Sequence, residues 1–219
     1  MSKPPTIAFL YPGAMGSALA GVLHARNPSW RLLTAINGRS EATLARARAV
    51  GLETVDLPTV VGASDAIISI LPPSAAVDLA ADVSRILQAN PRKVPPVYVD
   101  ANAVSPETMA RIAAVLGDNV PLIDASVIGL PPTDTKEPTV YLSSDPKWRA
   151  QLQEVAGLLG GETGWKKVKV LPDAGAGGAS ALKMCYGGLN KGTIGLAALM
   201  VLCESTDGLG CGSTAGKCC

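Results

Sequence analysis

The sequence predicts an α/β protein with a doubly wound, mainly parallel sheet, followed by one long helix of an incomplete all-α domain. From residue 6 to residue 171, short apolar runs typical of buried strands alternate with helical patterns, and the connections are short. Strand signals then stop, and alanine, glycine, leucine and methionine dominate from residue 174 onward. A site is expected at the carboxyl ends of the strands, where ligands of such sheets bind.

The element boundaries follow from local signals along the chain. Ser40 and Ser74 stand at the N-caps of two predicted helices, Gly51 ends the first of these, and Pro106 opens another. The predicted strands cover residues 6–10, 31–36, 53–55, 65–70, 97–100, 122–127, 139–142 and 167–171. The predicted helices cover residues 17–25, 40–50, 57–63, 74–88, 106–116, 146–159 and 180–203.

A turn with two glycines follows the first predicted strand. The segment YPGAMG at residues 11–16 leads from that strand into the first helix. Gly13 would let the backbone approach a pyrophosphate, and Gly16 would let the helix pack closely on the strand. Tyr11 stands where the G-x-G-x-x-G fingerprint has its first glycine, so the motif alone is weak. The segment predicts either a Rossmann-type dinucleotide site or an ordinary structural turn.

The end of the second predicted strand bears on the choice of cofactor. An NAD site places Asp or Glu there, whereas this sequence has Asn37, Arg39 and Ser40. A cation and a hydroxyl suit a 2′-phosphate, so we predict NADP rather than NAD. The alternative is that Ser40 serves only as a helix N-cap and Arg39 as a solvated turn residue.

Composition excludes several classes of function. The chain has 219 residues and a net charge of +1, so nothing in it favours a nucleic acid partner. Its longest late apolar run, residues 194–203, is shorter than the roughly 20 residues that cross a membrane. The five cysteines lie from residue 185 onward without a C-x-x-C pair, so no metal site is expected. We therefore expect a cytoplasmic protein with a small-molecule substrate.

Four segments, in order, resemble the β-hydroxyacid dehydrogenase superfamily, which includes 3-hydroxyisobutyrate and 6-phosphogluconate dehydrogenases. They are GAMG at residues 13–16, DANAVSP at 100–106, DASVIG at 124–129 and GGASALK at 177–183. The resemblance extends nearly to residue 209 and is to a poorly characterised branch of that superfamily. It implies an NADP-binding domain of the Rossmann type and a homodimer.

In that superfamily a lysine at the position of Lys183 is the catalytic acid/base. Hydride transfer between nicotinamide and a carbonyl needs a proton source at the oxygen. A lysine ammonium of ordinary pKa carries that proton at pH 7 and stabilises the developing alkoxide. Lys183 lies between Leu182 and Met184, and this apolar context favours a functional lysine over a solvated helix residue.

The motifs and the resemblance together assign the candidate site residues. The cofactor-binding residues are expected to be Tyr11, Gly13, Ala14, Met15, Gly16, Asn37, Arg39, Ser40, Leu71, Pro72 and Asn102. The substrate-binding residues are expected to be Asn102, Ser126, Gly129, Tyr186 and Asn190. Lys183 is the expected catalytic residue. Around the substrate the superfamily pattern is not kept, because Ile128 replaces a serine and Leu130 a glycine. We therefore expect a substrate other than a small 3-hydroxy acid bound in the usual way.

The predicted organisation has three parts. Residues 1–172 form the cofactor-binding domain, residues 173–204 a long helix, and residues 205–219 a disordered tail rich in cysteine, glycine and serine. The helical domain of the superfamily needs on the order of 100 residues. The sequence is therefore expected to be a C-terminally truncated member that lacks the helices of the family's dimer.

The resulting prediction is an NADP(H)-dependent oxidoreductase that transfers a hydride between nicotinamide and a carbonyl or hydroxy substrate. The alternative is a truncated, non-catalytic protein that binds the cofactor or a partner. A relative of imine reductases is a third hypothesis, which is disfavoured because those enzymes usually lack a lysine at this position.

Overall fold

A computed structural model describes residues 3–36, 38 and 40–207 of the chain. The chain divides into two compact units, Met1–Lys183 and Met184–Cys219. The first unit holds all the described strands, the first six α-helices and the first turns of the seventh. It is therefore the unit that contains the sheet and most of the candidate site.

Strands and helices alternate along the chain. The strands are β1 (Thr6–Leu10), β2 (Arg31–Thr34), β3 (Glu53–Thr54), β4 (Ala66–Ser69), β5 (Val97–Asp100), β6 (Leu122–Ile128), β7 (Thr139–Ser144) and β8 (Val168–Val170). The helices are α1 (Ala14–Arg26), α2 (Glu41–Ala49), α3 (Leu57–Ala63), α4 (Ala76–Ala89), α5 (Pro106–Leu116), α6 (Arg149–Leu159) and α7 (Gly178–Asp207).

The described strands form one sheet in the order β3-β2-β1-β4-β5-β6-β7-β8. Neighbouring strands are parallel except for β6 and β7, which are antiparallel. The strand order reverses at β1, which pairs with β2 on one side and β4 on the other. The carboxyl ends of β1 and β4 therefore flank the topological switch point, where ligands of doubly wound sheets bind. The predicted doubly wound, mainly parallel fold is confirmed.

Helices cover both faces of the sheet, as alternate residues of β1 show. Ile7 and Phe9 belong to an apolar cluster with residues of α1, α2 and α6. Ala8 and Leu10 belong to a second cluster with residues of α3, α4 and α5. Successive side chains of a strand point to opposite faces, so β1 is buried on both sides. This double burial explains why its sequence is a continuous apolar run.

Two helix starts test the local signals in the sequence. Pro106 lies in the first turn of α5 as predicted, behind the N-cap Ser105. The prediction that Ser74 caps α4 is wrong, because Ala75 holds the N-cap position. A short 3₁₀ turn, Pro73–Ala75, precedes the helix. The proline fixes φ in this tighter turn and so delays the start of the α-helix.

The last described helix, α7, extends beyond the predicted residues 180–203 at both ends. Residues 205–207 continue the helix, and residues 208–219 of the predicted tail lie outside the described residues. The exposed apolar side chains of its later turns are those of Leu189, Ile194, Leu196, Leu199, Met200, Val201 and Leu202. None of the described helices combines the length and the apolar content needed to cross a bilayer.

Candidate active site

The turn between β1 and α1, residues 11–16, opens the candidate site and is called the glycine turn below. The backbone of Tyr11 is in the left-handed conformation with φ of 49°, which residues other than glycine rarely adopt. Its N–H donates to the Ala35 carbonyl beyond β2 at 3.4 Å. Tyr11 therefore takes up the backbone conformation for which the usual fingerprint has a glycine, and it packs against both apolar clusters.

The two glycines of the turn have different roles. A Cβ at Gly16 would lie 2.6 Å from Cγ2 of Ile70 and 2.9 Å from Cβ of Pro12, so only glycine fits between α1 and the sheet. A Cβ at Gly13 would meet nothing within 4 Å. Gly13 is the N-cap of α1 and supplies no side-chain cap, and Gly13 and Ala14 are exposed. The N-terminus of α1 is thus exposed at Gly13 and Ala14, and an exposed helix N-terminus fits the diphosphate of a dinucleotide.

Of the predicted 2′-phosphate contacts, the structure describes Ser40. Ser40 is the N-cap residue of α2, and its exposed hydroxyl lies 3.2 Å from Oγ1 of Thr43. Asn37 and Arg39 lie outside the described residues. The preference for NADP therefore stays a prediction from sequence.

Asn102 links the carboxyl ends of β4 and β5. Its Oδ1 accepts the Leu71 N–H at 2.7 Å, and its Nδ2 donates to Ser69 Oγ at 2.8 Å and to Asp100 Oδ2 at 2.9 Å. The residue is buried, whereas Pro72 beside Leu71 is exposed. Asn102 thus holds the start of the loop that is predicted to line the cofactor. A direct contact of Asn102 with cofactor or substrate stays a prediction.

Two buried carboxyl groups lie side by side below this edge. Asp100 at the end of β5 and Asp124 in β6 are register partners, so their side chains share one face of the sheet. Burial raises the pKa of Asp100 to about 7, and the charge of Asp124 adds to this rise against hydrogen bonds from Asn102. Burial also raises the pKa of Asp124, while hydrogen bonds from Ser180 and Ser143 oppose the rise.

Side-chain hydrogen bonds fasten the first turn of α7 to the sheet at what we call the β6–α7 junction. Its members are Asp124, Ser126 and Val127 of β6, Ser143 of β7, and Ala179, Ser180 and Lys183 of α7. The Ser180 N–H and hydroxyl donate to the Asp124 carboxylate at 2.8 and 2.7 Å. The Ser126 hydroxyl donates to the Ala179 carbonyl at 2.7 Å. Ser126 is buried. Its predicted contact with substrate stays a prediction.

Lys183 lies one helical turn after Ser180. Its ammonium donates to the Val127 carbonyl near the end of β6, and its side chain is half-buried. Leu10, Ser69, Asp100 and Asp124 pair in register across four parallel strands. Val127 lies three residues beyond that level, about 10 Å further toward the carboxyl edge. The fold thus brings Lys183 to the same edge of the sheet as the glycine turn.

The remaining predicted substrate contacts lie in two places. Gly129 follows β6, is exposed, and has φ of 135° with a Cβ position 3.1 Å from Pro138. Tyr186 and Asn190 belong to the second unit, where both are exposed on α7. Their contact with a substrate stays a prediction.

Several polar residues of this edge had no role predicted from the sequence. They are Ser69, Asp100, Asp124, Ser143 and Ser180. A signal was present, because Asp100 ends and Asp124 interrupts a strand in which most of the other residues are apolar. A carboxylate in a buried strand needs partners, and those partners indicate a polar network. Among the described residues, no group of three His, Cys, Asp or Glu side chains could hold a metal ion.

Comparisons with known proteins identify structural relatives. No protein-family model and no curated protein matches this sequence. A conserved protein of unknown function with structural similarity to 3-hydroxyacid dehydrogenases is 25% identical, with a TM-score of 0.70 over 86% of this chain and 65% of that one. An imine reductase variant from Myxococcus stipitatus in complex with NAD+ is 19% identical, with a TM-score of 0.66 over 96% and 68% of the two chains.

A reductive aminase from Aspergillus terreus is a third structural relative. It was solved with NADPH4, cyclohexanone and allyl amine, and is 19% identical, with a TM-score of 0.63 over 90% of this chain and 64% of that one. The chain spans 65% of the length of the first relative and so less than two thirds of it. In fold, the chain is a relative of imine reductases and reductive aminases and of proteins similar to 3-hydroxyacid dehydrogenases, the superfamily that its four motifs resemble.

Proposed function

We propose that the chain is an NADP(H)-dependent oxidoreductase that transfers a hydride between nicotinamide and a carbonyl or hydroxy substrate, with Lys183 as acid/base. One observation carries the proposal: the Lys183 ammonium lies at the carboxyl edge of the sheet whose glycine turn leaves the α1 N-terminus open. Structural relatives were solved with NAD+ or NADPH4, which supports a nicotinamide cofactor.

The residues of the switch point would hold the cofactor. The exposed amides after Gly13 suit the pyrophosphate, because a helix N-terminus favours anions. Leu71 and Pro72 would line it from the end of β4. For NADP, the support is Arg39 and Ser40 in place of an acid after β2.

Lys183 supplies the acid/base chemistry in this proposal. When bound, the cofactor would supply the hydride for the substrate carbon. The Lys183 ammonium holds the proton that the substrate oxygen needs, and its charge stabilises the developing alkoxide. In the oxidative direction the neutral amine takes the proton back. The Val127 carbonyl accepts from the ammonium and so limits the orientations of a flexible side chain.

Asn102, Ser126, Gly129, Tyr186 and Asn190 are proposed as substrate contacts, and Asn102 is also proposed as a cofactor contact. Gly129, Tyr186 and Asn190 are exposed and accessible to a ligand. A cytoplasmic location belongs to the same proposal and rests on the sequence composition, whereas a homodimer is only what the resemblance implies for the family.

Cofactor binding is the first test. Calorimetry with NADPH and NADH would be carried out on the wild-type chain, on Arg39→Ala and on Arg48→Ala. Arg48 is an exposed arginine of α2 and serves as a matched control. We expect Arg39→Ala to weaken NADPH about tenfold and to leave NADH unchanged, because only NADPH carries the 2′-phosphate. Absence of binding by either cofactor would refute the proposal.

Turnover is the second test. NADPH consumption would be followed with a panel of carbonyl and imine compounds for the wild type, Lys183→Ala and Lys191→Ala. Lys191 is an exposed lysine of the same helix and serves as the control. We expect Lys183→Ala to lose at least about 100-fold in turnover while it keeps its NADPH affinity. Unchanged turnover in Lys183→Ala would remove the lysine from the mechanism. Cofactor binding without turnover in any variant would favour a non-catalytic binding protein.

A further inference from the structure

At the β6–α7 junction, two residues on one face of β6 bind two adjacent residues of α7. Asp124 and Ser126 are two positions apart in β6 and share one face of the strand. Their partners Ser180 and Ala179 are adjacent in the first turn of α7. Ser143 of β7 completes the set, because its Oγ accepts the Ala179 N–H at 2.9 Å and donates to Asp124 at 3.3 Å.

The charge of Asp124 suits this position. Its carboxylate accepts the N–H and hydroxyl of Ser180 at the start of α7, where the helix dipole is positive. A second carboxyl, Asp100, is its register neighbour, and two adjacent carboxylates do not readily ionise together. Asp124 has the donors that stabilise an anion at a helix N-terminus, so the negative charge of the pair belongs on Asp124.

Asp124 cannot act on a substrate directly. It is 1% exposed, and its two oxygens accept from Ser180 and Ser143. Its contacts can therefore reach the candidate site only through the groups that it binds. Lys183 is three residues after Ser180, so it projects from the same side of α7 one turn further along.

We propose that Asp124 is a positioning residue for Lys183: by anchoring Ser180, it sets where the first turn of α7 lies and hence where the Lys183 ammonium meets the Val127 carbonyl. The effect of this positioning on turnover rests on the proposed function, whereas the positioning itself does not. A lysine side chain has several rotatable bonds, so a displaced helix start moves its ammonium out of place. Misplacement of a reacting group by about 1 Å lowers the rate up to about 100-fold.

The environment of Lys183 is measurable without a substrate. The full chain would be treated with acetic anhydride over a range of pH, and acetylation of Lys183 would be followed by peptide mass spectrometry. Exposed Lys93 serves as the internal reference. The variants are Asp124→Asn and Ser180→Ala, and the control is Ser144→Ala. Ser144 is also buried in β7, but its hydroxyl donates to the Asp145 carbonyl outside the junction.

We expect Asp124→Asn to raise the Lys183 rate relative to Lys93 about threefold or more and to move the midpoint of its pH profile, because local opening frees the ammonium. Ser180→Ala should give a smaller change in the same direction, and Ser144→Ala none. Wild-type reactivity of Lys183 in folded Asp124→Asn would overturn the proposal. If Asp124→Asn does not fold, Ser180→Ala decides by the same criterion, since it removes a single hydroxyl.

Kinetics separate this inference from the proposed function. Positioning predicts that Asp124→Asn lowers kcat about tenfold while the Kd for NADPH stays within about twofold. Altered Lys183 reactivity in a chain without any NADPH turnover would support the positioning role and refute the proposed function. Wild-type kcat and wild-type Lys183 reactivity in Asp124→Asn, with Lys183→Ala inactive, would refute the positioning role and leave the proposed function intact.

Discussion

The glycine turn and the β6–α7 junction are built in different ways at the same edge of the sheet. The glycine turn uses main-chain shape: an open N-cap at Gly13, close packing at Gly16 and a left-handed Tyr11. The junction uses buried polar side chains, with Asp124 as the central acceptor. A main-chain site depends on steric fit and a side-chain site on charge and hydrogen bonds, so the two regions should fail under different perturbations.

The largest expected difference is the response to pH. Asp100 has an ordinary pKa of 3.8 and a pKa of about 7 in the folded protein, so from about pH 4 upward the unfolded chain binds fewer protons. The contribution of Asp100 to stability should be fully present below about pH 4, fall as pH rises, and be lost once pH exceeds about 7. That contribution is on the order of 4 kcal/mol at about 1.4 kcal/mol per pKa unit.

Urea unfolding between pH 4 and pH 8 would measure this effect on the wild type and on Asp100→Asn. In Asp100→Asn, the free energy of unfolding should depend less on pH, because the contribution of Asp100 is gone. The altered hydrogen bonds of the variant can shift this free energy by a constant amount, but they do not change its pH dependence. Asp118→Asn is the control, since Lys147 holds the pKa of this exposed carboxyl below its ordinary value and its contribution has the opposite sign. A wild-type profile in Asp100→Asn would show that this carboxyl is ionised throughout.

The second expected difference is steric and confined to the glycine turn. Gly16→Ala places a Cβ 2.6 Å from the branched Ile70 side chain, so we expect about 1–3 kcal/mol of destabilisation in urea unfolding. Gly13→Ala is the matched control, because its Cβ meets nothing within 4 Å and the fold should be unaffected. Equal stabilities for the two variants would contradict the close packing of α1 on the sheet.

The affinity of Gly13→Ala for NADPH tests the cofactor role of the glycine turn. The added methyl group fills the space that the main chain leaves open, so NADPH should bind more weakly although stability is unchanged. Calorimetry would show this loss. Wild-type affinity in Gly13→Ala would mean that a dinucleotide does not approach this part of the turn.

The smallest expected effect is the change in stability when Tyr11, whose backbone is strained, is substituted. Left-handed backbone at a residue with a Cβ costs roughly 1–2 kcal/mol, and Tyr11→Gly removes this cost together with the ring's packing against both clusters. The two changes nearly cancel, so stability should change by less than about 1 kcal/mol. Tyr11→Ala loses the packing and keeps the strain, and should be about 1 kcal/mol less stable than Tyr11→Gly. If alanine were as stable as glycine there, the turn would not be strained.

Much of the fold was predictable because its signals are local. The apolar run of β1 and the proline that opens α5 lie within a few residues of the structure they specify. The start of α4 was mispredicted because a 3₁₀ turn and a missing side-chain cap depend on how the chain leaves β4. The close packing of α1 at Gly16 was predicted from spacing alone, since it is a property of the motif.

The sequence by itself determined the order of strands and helices, the position of the glycine turn and the presence of a lysine at the start of α7. Periodicity, glycine spacing and turn residues act over a few residues, so they can be recognised in the sequence without a structure. Only the tertiary structure decided which polar groups meet. Asp124 and Ser180 are 56 residues apart in sequence, and Asn102 and Leu71 are 31 apart. Such pairs form because strand register and the packing of α7 on the sheet bring distant segments together, and no local pattern encodes either of them.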